Sequence, residues 1–162
     1  MSGRTLTRWE QPVHSSNIEL RPAGGADVPA LAAMNHQLIR DEGSRNSMTP
    51  AELAHRMRGW LRDGWSADLV VISGEVIGYL VYQARRDEYV PARCEVHVRQ
   101  FYIQPEHRRR GIGRLAFEKA VRSRFPSGAT LVLEVLETNP QGRRFGEALG
   151  FKSHSMTLKR PT

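Results

Sequence analysis

The stretch RQFYIQPEHRRRGIGRLAFEKAV, residues 99–121, contains the most informative pattern in this 162-residue chain. It begins as an apolar strand, continues through a loop with three consecutive arginines and ends in an amphipathic helix that starts at Gly111. Glycines at a helix start let a ligand approach the backbone closely, and the free N–H groups there bind anionic oxygens. Arginines from the same loop add charge-assisted hydrogen bonds. The stretch therefore predicts a site for a pyrophosphate or a similarly dense anion.

Two other phosphate-binding motifs fit this stretch less well. A P-loop needs lysine and then serine or threonine after its second glycine, and Arg114 and Leu115 stand there instead. The dinucleotide pattern G-x-G-x-x-G/A is met by residues 111–116. That pattern follows its strand directly, whereas seven residues separate Ile103 from Gly111 here. Too little chain follows for the further parallel strands, so we disfavour a dinucleotide site.

The strand before the loop changes its apolar face partway along. Since side chains alternate with period two, one extra residue at Arg99 or Gln100, a β-bulge, would restore a single apolar face. The alternative is an amphipathic strand without a bulge, in which the two ends expose opposite faces to solvent. The apolar positions are Val96, Val98, Phe101 and Ile103. With a bulge, the opposite face carries Glu95, His97, either Arg99 or Gln100, and Tyr102.

The rest of the chain predicts the order β-α-α-β-β-β-α-β-α-β, a mixed sheet with helices packed on it. Thr49-Pro50-Ala51-Glu52 is a capping box with proline at the first helical position. The predicted helices begin at Asp27, Thr49, Gly111 and Asn139. The predicted strands are Ile18–Arg21, Leu69–Ile72, Val76–Gln83, Glu95–Ile103, Thr130–Leu136 and Phe151–Leu158. We expect residues 1–17 to be a flexible leader and residues 18–160 to form a single domain.

Composition limits the class of protein and its partners. The net charge is +7 and 40% of the residues are hydrophobic, as in a globular protein with an anionic partner. Nucleic acid is disfavoured, because the basic residues are dispersed and not interleaved with aromatic ones. No apolar run approaches the roughly 20 residues of a membrane helix, and the first residues lack the apolar core of a secretory signal.

Cysteine and histidine usage argues against a metal site. Cys94 is the single cysteine, so neither an intrachain disulfide nor a cysteine-based zinc site is expected. The histidines show no metal-ligand spacing. We expect no metal and a cytoplasmic location.

The motif Arg108-Arg109-Arg110-Gly111-Ile112-Gly113 resembles R-x-x-G-x-G, the pyrophosphate-binding signature of the GNAT (GCN5-related N-acetyltransferase) family. A bulged strand before the motif and an amphipathic helix after it are the same setting. NPQGRRFGEALGF, residues 139–151, resembles the later family segment, in which Asn precedes a helix with Phe-Tyr and a closing Leu-Gly-Phe. The element order matches from Ile18 to Leu158. The resemblance implies an α/β (α+β) fold with a mixed, mainly antiparallel sheet and helices on both faces.

The resemblance also implies the donor and the residues that hold it. Phe101, Tyr102 and Ile103 would lend backbone groups to the pantetheine arm of acetyl-CoA, the acyl donor. Asn139 would contact that arm, and a plain helix N-cap is its alternative role. The pyrophosphate would be wrapped by Arg108, Arg109, Arg110, Gly111, Ile112, Gly113 and Arg114.

The implied reaction moves the acetyl group to a primary amine by direct attack on the thioester. The bulge would keep its strand apart from the strand Thr130–Leu136 and leave a slot for the thioester. An ammonium cannot attack the thioester, so a group near this slot must accept its proton. Glu95 and His97 are the candidate catalytic residues because they share the slot-facing side of the bulged strand. His97 stands eleven residues before Arg108, where histone-type family members have a glutamate base. The alternatives are a surface glutamate and a histidine with a purely structural partner.

One position departs from the family pattern. Members often use a tyrosine after the helix phenylalanine to protonate the leaving thiolate, and Gly146 stands there. Tyr79, Tyr82, Tyr102 or water would replace it. The departure keeps open a non-catalytic acyl-CoA-binding regulatory module.

The acceptor is expected to be a small-molecule or peptide amine, bound by residues 35–50 and 86–93. Four acidic residues in these segments could attract a cationic amine, although solvated loop charges are the simpler explanation for them: Asp41, Glu42, Asp87 and Glu88. A homodimer through the sheet edge or the last strand is compatible with the sequence.

Overall fold

A computed structural model describes His14 and residues 17–162 of the chain. The five strands are β1 (Ile18–Pro22), β2 (Ser66–Ile72), β3 (Glu75–Arg86), β4 (Cys94–Ile103) and β5 (Thr130–Leu133). The four α-helices are α1 (Val28–Asp41), α2 (Pro50–Arg62), α3 (Ile112–Ser123) and α4 (Pro140–Ala148). Single 3₁₀ turns precede α1 and follow β4.

The strands form one sheet in the order β1-β2-β3-β4-β5. The first three pairings are antiparallel and β4–β5 is parallel, which confirms the mixed, mainly antiparallel sheet. The β2–β3 hairpin turns through Ser73 and Gly74, whose φ angles are 52° and 82°. Two left-handed residues make the tight turn that matches the twist of the flanking strands.

The predicted β-bulge is confirmed in β4. Val81 of β3 pairs with Gln100, but the next residue, Tyr82, pairs with Val98. Arg99 is therefore the extra residue without a partner opposite. Because of it, Phe101 and Ile103 return to the apolar face that Val98 occupies.

Helices cover both faces of the sheet, and each face has its own core. One core joins α3 and α4 to β4, with Phe117 among its fully buried side chains. The other joins α1 and α2 to β2 and β3 around fully buried Tyr79. The capping box of α2 is present, with the Glu52 amide donating to the Thr49 hydroxyl. In α1, Asp27 occupies the N-cap position but accepts from Arg21 and Gly24 instead of capping the helix.

The element order is confirmed as far as α4, but the predicted last strand, Phe151–Leu158, does not form. Residues 151–162 have no regular secondary structure, and Met156 and Leu158 are 83% and 85% exposed. A β-strand needs backbone hydrogen bonds to a neighbouring strand. The expected neighbour, β5, ends at Leu133 instead of the predicted Leu136. The alternating sequence after α4 therefore has too short a neighbouring strand to pair with.

Most of the expected leader, residues 1–17, lies outside the described residues. In the part of the chain that the structure describes, no helix is long and apolar enough to cross a membrane.

Candidate functional site

A cleft opens where β4 and β5 separate. Their parallel pairing ends at Val98 and Leu133, whereas β4 continues to Ile103. The bulge residues Arg99, Gln100 and Phe101 form one wall of this cleft. The other walls come from the end of α1, the chain after β5 and the start of α4. The empty space is about 520 Å³, including the solvent at its mouth.

Three phenylalanines form the apolar floor of the cleft. The Phe101 ring lies 5.6 Å from that of Phe117 and stacks on that of Phe145 at 5.5 Å between centroids. A Cβ at Gly113 would lie 3.3 Å from the Phe145 ring, so glycine there lets α3 approach α4 closely. The floor thus holds the start of α3 beside β4.

The loop from Arg108 to Arg114 fits a phosphate-rich group. Arg109 and Gly111 adopt left-handed φ angles of 59° and 74°, which curl the loop around the start of α3. No side chain caps α3, so the N–H groups of Ile112, Gly113 and Arg114 have no partner within the helix. The side chains of Arg109, Arg110 and Arg114 lie at the surface beside them. Backbone donors and cations at one helix start suit a pyrophosphate.

Arg108 points away from that helix start. Its Nε donates to the Ile103 carbonyl oxygen at 2.7 Å, and its guanidinium forms an ion pair with Asp41 of α1. The same guanidinium lies 5.3 Å from the centre of the Tyr102 ring. Arg108 therefore ties the loop to β4 and α1, and a phosphate contact from its side chain stays a prediction.

The end of β4 offers an open backbone edge to the cleft. Beyond Val98, β4 pairs with β3 alone, so the groups of residues 101–103 that point away from β3 have no strand partner. Arg108 already engages the carbonyl of Ile103. The side chains of Tyr102 and Ile103 are buried on opposite faces of the sheet. This edge is suited to an extended arm that adds to the sheet as a strand does.

Asn139 lines the cleft and also caps α4. Its Oδ1 accepts a hydrogen bond from the Gly142 amide at 2.8 Å. The structure thus contains the N-cap that was the alternative role for this residue. The remaining amide nitrogen of the side chain lies beside the cleft.

Glu95 and His97 are brought together on β4. Glu95 Oε2 and His97 Nε2 are 3.0 Å apart, and both side chains are about three-quarters buried. Since Val96 and Val98 face α3, this pair lies on the face toward α2. Neither residue lines the cleft, whose wall begins two residues further along the strand.

The sequence model of the acetyltransferase (GNAT) family matches residues 32–151, which contain every residue that lines the cleft. The chain belongs to this family. Its enzyme class is therefore N-acetyltransferase, and a GNAT domain explains a bulged β4 followed by an uncapped, arginine-rich helix start. No curated protein sequence matches the chain.

Solved GNAT structures share the fold at low sequence identity. A possible acetyltransferase from Clostridium difficile 630 is 17% identical with a TM-score of 0.72, covering 90% of this chain and 97% of that one. An aminoglycoside N-acetyltransferase in complex with CoA is 15% identical, with a TM-score of 0.69 and coverages of 90% and 94%. A ribosomal-protein-alanine N-acetyltransferase from Brucella melitensis biovar Abortus 2308 is 15% identical, with a TM-score of 0.70 and coverages of 90% and 99%.

A buried polar network behind the GNAT cleft was not predicted. An Arg56 amino group donates to Asn35, which donates to the Tyr79 hydroxyl at 3.1 Å. That hydroxyl donates to Gln100 Oε1 at 3.0 Å. Asn35 and Tyr79 are almost fully buried, and Gln100 lies in the cleft wall. The one signal in the sequence is Asn35, a polar residue among the apolar positions of α1.

Glu42 brings a carboxylate into the cleft wall at the end of α1. Partial burial raises the pKa of this carboxyl group, and the nearby Arg56 opposes that shift. The Glu42 carbonyl oxygen accepts from the Thr138 hydroxyl at 2.7 Å. This bond joins the end of α1 to the chain between β5 and α4, across the mouth of the cleft.

The tyrosines considered as replacement acids lie outside the cleft. Tyr79, Tyr82 and Tyr102 are buried, and burial raises the pKa of each. Tyr82 donates to Asp68, and none of the three is among the described residues that line the cleft. A Cβ at Gly146 would lie 3.5 Å from Leu133, in ordinary contact with β5. Water is therefore the remaining candidate for protonating the thiolate.

Among the described residues, no group of three or more His, Cys, Asp or Glu side chains could hold a metal ion.

Proposed function

We propose that the protein transfers the acetyl group of acetyl-CoA to a primary amine on a small molecule or peptide. The amine attacks the thioester carbonyl directly, without an acetyl-enzyme intermediate. The observation that carries the proposal is the cleft at the β4 bulge. Glu42, Arg99 and Gln100 lie in its wall, and its floor residue Phe145 packs beside Gly113 at the uncapped start of α3.

On the donor side, acetyl-CoA supplies the activated acetyl thioester. The amides of Ile112 and Gly113 and the side chains of Arg109, Arg110 and Arg114 would hold its pyrophosphate. The open edge of residues 101–103 would align the pantetheine arm, and the phenylalanine floor would exclude water from it. An N–H group of β4 near Phe101 would stabilise the negative charge that develops on the thioester oxygen. We also propose that the protein acts in the cytoplasm.

On the acceptor side, the amine must lose a proton before its nitrogen can bond to the acetyl carbon. We assign this proton to His97, because a neutral imidazole can accept it and Glu95 stabilises the resulting charge. Glu42 would bind the incoming ammonium at the cleft wall. As the N–C bond forms, the C–S bond breaks and the thiolate takes a proton from water.

A second function, acyl-CoA binding without catalysis, is favoured by Gly146, where family members often have an acid. Incubation with acetyl-CoA and a panel of primary amines, with detection of free CoA thiol, separates the two. We expect thiol release that depends on the amine and an acetylated product one acetyl group heavier. Binding of acetyl-CoA without thiol release for any amine would instead establish the binding module.

The matched control is a triple variant, Arg109→Gln, Arg110→Gln and Arg114→Gln. It removes three surface cations but no backbone amide, so it should raise the KM for acetyl-CoA while the protein stays folded. Each lost charge-assisted contact should cost roughly 10-fold in binding. Unchanged kinetics in this variant would contradict the donor site.

A further inference from the structure

Five side chains form an alternating Arg–Trp stack between α2 and the sheet: Arg56, Trp60, Arg99, Trp65 and Arg85. The guanidinium carbons of Arg56 and Arg99 each lie 4.6 Å from the centre of the Trp60 ring. Arg99 also lies 5.2 Å from the Trp65 ring, which Arg85 approaches to 4.9 Å. Each such contact contributes about 0.5–2 kcal/mol. The stack fixes the Arg99 guanidinium in place by its flat faces and leaves its N–H edges available.

Two of these arginines form no ion pair with a described residue, although the Glu42 carboxylate lies near Arg56. Within His14 and residues 17–162, neither Arg56 nor Arg99 has a carboxylate at ion-pair distance. Arg99 has no hydrogen bond to any described residue, and the buried Nε of Arg56 has none either. By contrast, Arg85 is bonded to Gln83, and Arg124 is paired with Asp68. Arg99 is exposed, and its stacked guanidinium forms no ion pair within the described part of the chain, so it is available to an anion that comes from outside the chain.

The bulge directs this positive charge into the acceptor side of the cleft. Arg99 and Gln100 both reach the α2 face, since Gln100 accepts from Tyr79 and Arg99 contacts Trp60. Arg99 and Glu42 both line the cleft. A cationic group and a carboxylate therefore lie at the same opening. Together they match a molecule that carries both an ammonium and an anion.

Resting on the proposed function, we propose that the acceptor is an amine that also carries an anionic group, a carboxylate or a phosphate. Arg99, held by Trp60 and Trp65, binds the anion, and Glu42 binds the ammonium. α-Amino acids and amino-terminated phosphoesters have this chemistry. Polyamines and other polycations do not, because they would bring further positive charge to two unpaired arginines.

The test compares acceptors that differ in the anion alone. One set is phenylalanine, phenylalaninamide and phenethylamine, another is phosphoethanolamine and ethanolamine, and spermidine represents the polycations. With saturating acetyl-CoA, we expect kcat/KM for the better anionic acceptor to exceed that of its neutral partner by 10-fold or more. The two sets distinguish a carboxylate from a phosphate.

Variants locate the effect in the stack. Arg99→Gln should lower the ratio of anionic to neutral kcat/KM by about 10- to 100-fold, and Arg99→Lys should restore part of it. Arg85→Gln is the matched control, since Arg85 belongs to the stack but does not line the cleft. It should leave the ratio within about threefold of the wild type. Thermal denaturation of each variant verifies that it is folded.

Three outcomes would overturn the inference. A wild-type preference for neutral amines or spermidine would overturn it and leave the proposed function standing. An equal loss for anionic and neutral acceptors in Arg99→Gln, or the same ratio change in Arg85→Gln, would reduce the stack to a structural clamp. Absence of thiol release with every acceptor would remove the proposed function and the inference with it.

Discussion

The acceptor amine can lose its proton to several side chains near the bulge, and their surroundings differ. His97 is paired with Glu95 on the α2 face of β4, outside the cleft, whereas Glu42 is half-buried in the cleft wall near Arg56. A histidine held by a carboxylate is suited to accept a proton and to keep it briefly. A carboxylate in the wall is suited to bind a cation. The two residues should therefore affect different kinetic parameters.

We expect His97→Gln to lower kcat by about 100- to 10,000-fold. Glu42→Gln should mainly raise the KM for the amine, by about 10-fold, and leave kcat nearly unchanged. Steady-state thiol release at increasing amine concentrations measures both parameters. Glu88→Gln, in the exposed loop before β4, is the control. If kcat collapses in Glu42→Gln and persists in His97→Gln, Glu42 is the base.

Glu42 should also lower the stability of the enzyme. Burial raises the pKa of its carboxyl group, so the protonated form favours folding at low pH and the ionised form weakens it as pH rises through the raised pKa. Glu42→Gln should therefore raise Tm at pH 7 by about 1–3 °C and lose this gain near pH 4.

Differential scanning calorimetry at both pH values tests this expectation. Glu52→Gln is the opposite case, because hydrogen bonds from Thr49 lower the pKa of Glu52. Its stabilising effect is present at neutral pH and lost on acidification, so this variant should lower Tm at pH 7. A lower Tm for Glu42→Gln at pH 7 would contradict the role of burial.

At the scale of elements, two glycines show how closely the strands and helices approach. A Cβ at Gly78 of β3 would lie 2.2 Å from the carbonyl oxygen of Tyr102 on β4. A Cβ at Gly146 of α4 would meet Leu133 and Phe151 at 3.5 and 3.8 Å, ordinary contact distances. Glycine is thus required by geometry in the strand and is replaceable in the helix.

We expect Gly146→Ala to raise the free energy of unfolding by about 0.5–1 kcal/mol, because alanine restricts the unfolded chain and suits a helix interior. Gly78→Ala should lower it by about 2 kcal/mol or more, because the backbone must shift. Urea denaturation measures both. Gly146→Ala should also leave thiol release unchanged, and a large loss of activity would assign Gly146 a direct part in the site.

The elements that depend on local pattern were predictable, and those that depend on distant partners were not. The bulge followed from the alternation of apolar residues in β4, and the start of α2 followed from its capping box. The last strand failed because pairing requires a neighbour, and β5 proved too short. Arg108 shows the same limit, since no local pattern indicates that its side chain turns to Asp41.

At the site, the sequence indicated the loop that we propose for the donor but not the side chains around the proposed acceptor. R-x-x-G-x-G specifies a backbone shape and its helix within six residues. The contacts of Arg99 with Trp60 and Trp65 join β4 to α2 and to the chain before β2. Such contacts form only once the sheet and both helices are assembled, so periodicity could not identify them.

At the scale of the whole molecule, two groups of arginines stand out within a net charge of +7 that is spread along the chain. One is the loop at the start of α3, and the other is the Arg–Trp stack on the opposite side of the bulge. In the proposed function, donor and acceptor would therefore approach the cleft from separate sides. Binding of the donor should stabilise the folded chain as a unit.

We expect acetyl-CoA at about 100 times its Kd to raise Tm by about 5–10 °C, equivalent to roughly 2.7 kcal/mol for a domain of this size. Thermal shift measurements with increasing acetyl-CoA test this. The triple arginine variant of the α3 loop is the control and should need more ligand for the same shift. An equal shift with random DNA at physiological salt would show that the effect is general attraction of polyanions.

The Arg–Trp stack also provides an intrinsic fluorescent reporter of its own surroundings. Trp60 and Trp65 are two of its three tryptophans, and the third, Trp9, lies outside the described residues. Indole emission responds to the charge beside the ring, and Arg99 contacts both of these indoles. An anion that binds the free edges of the Arg99 guanidinium should therefore change the ultraviolet fluorescence of the unlabelled protein. Occupancy of the acceptor side can be followed optically before any acetyl group has moved.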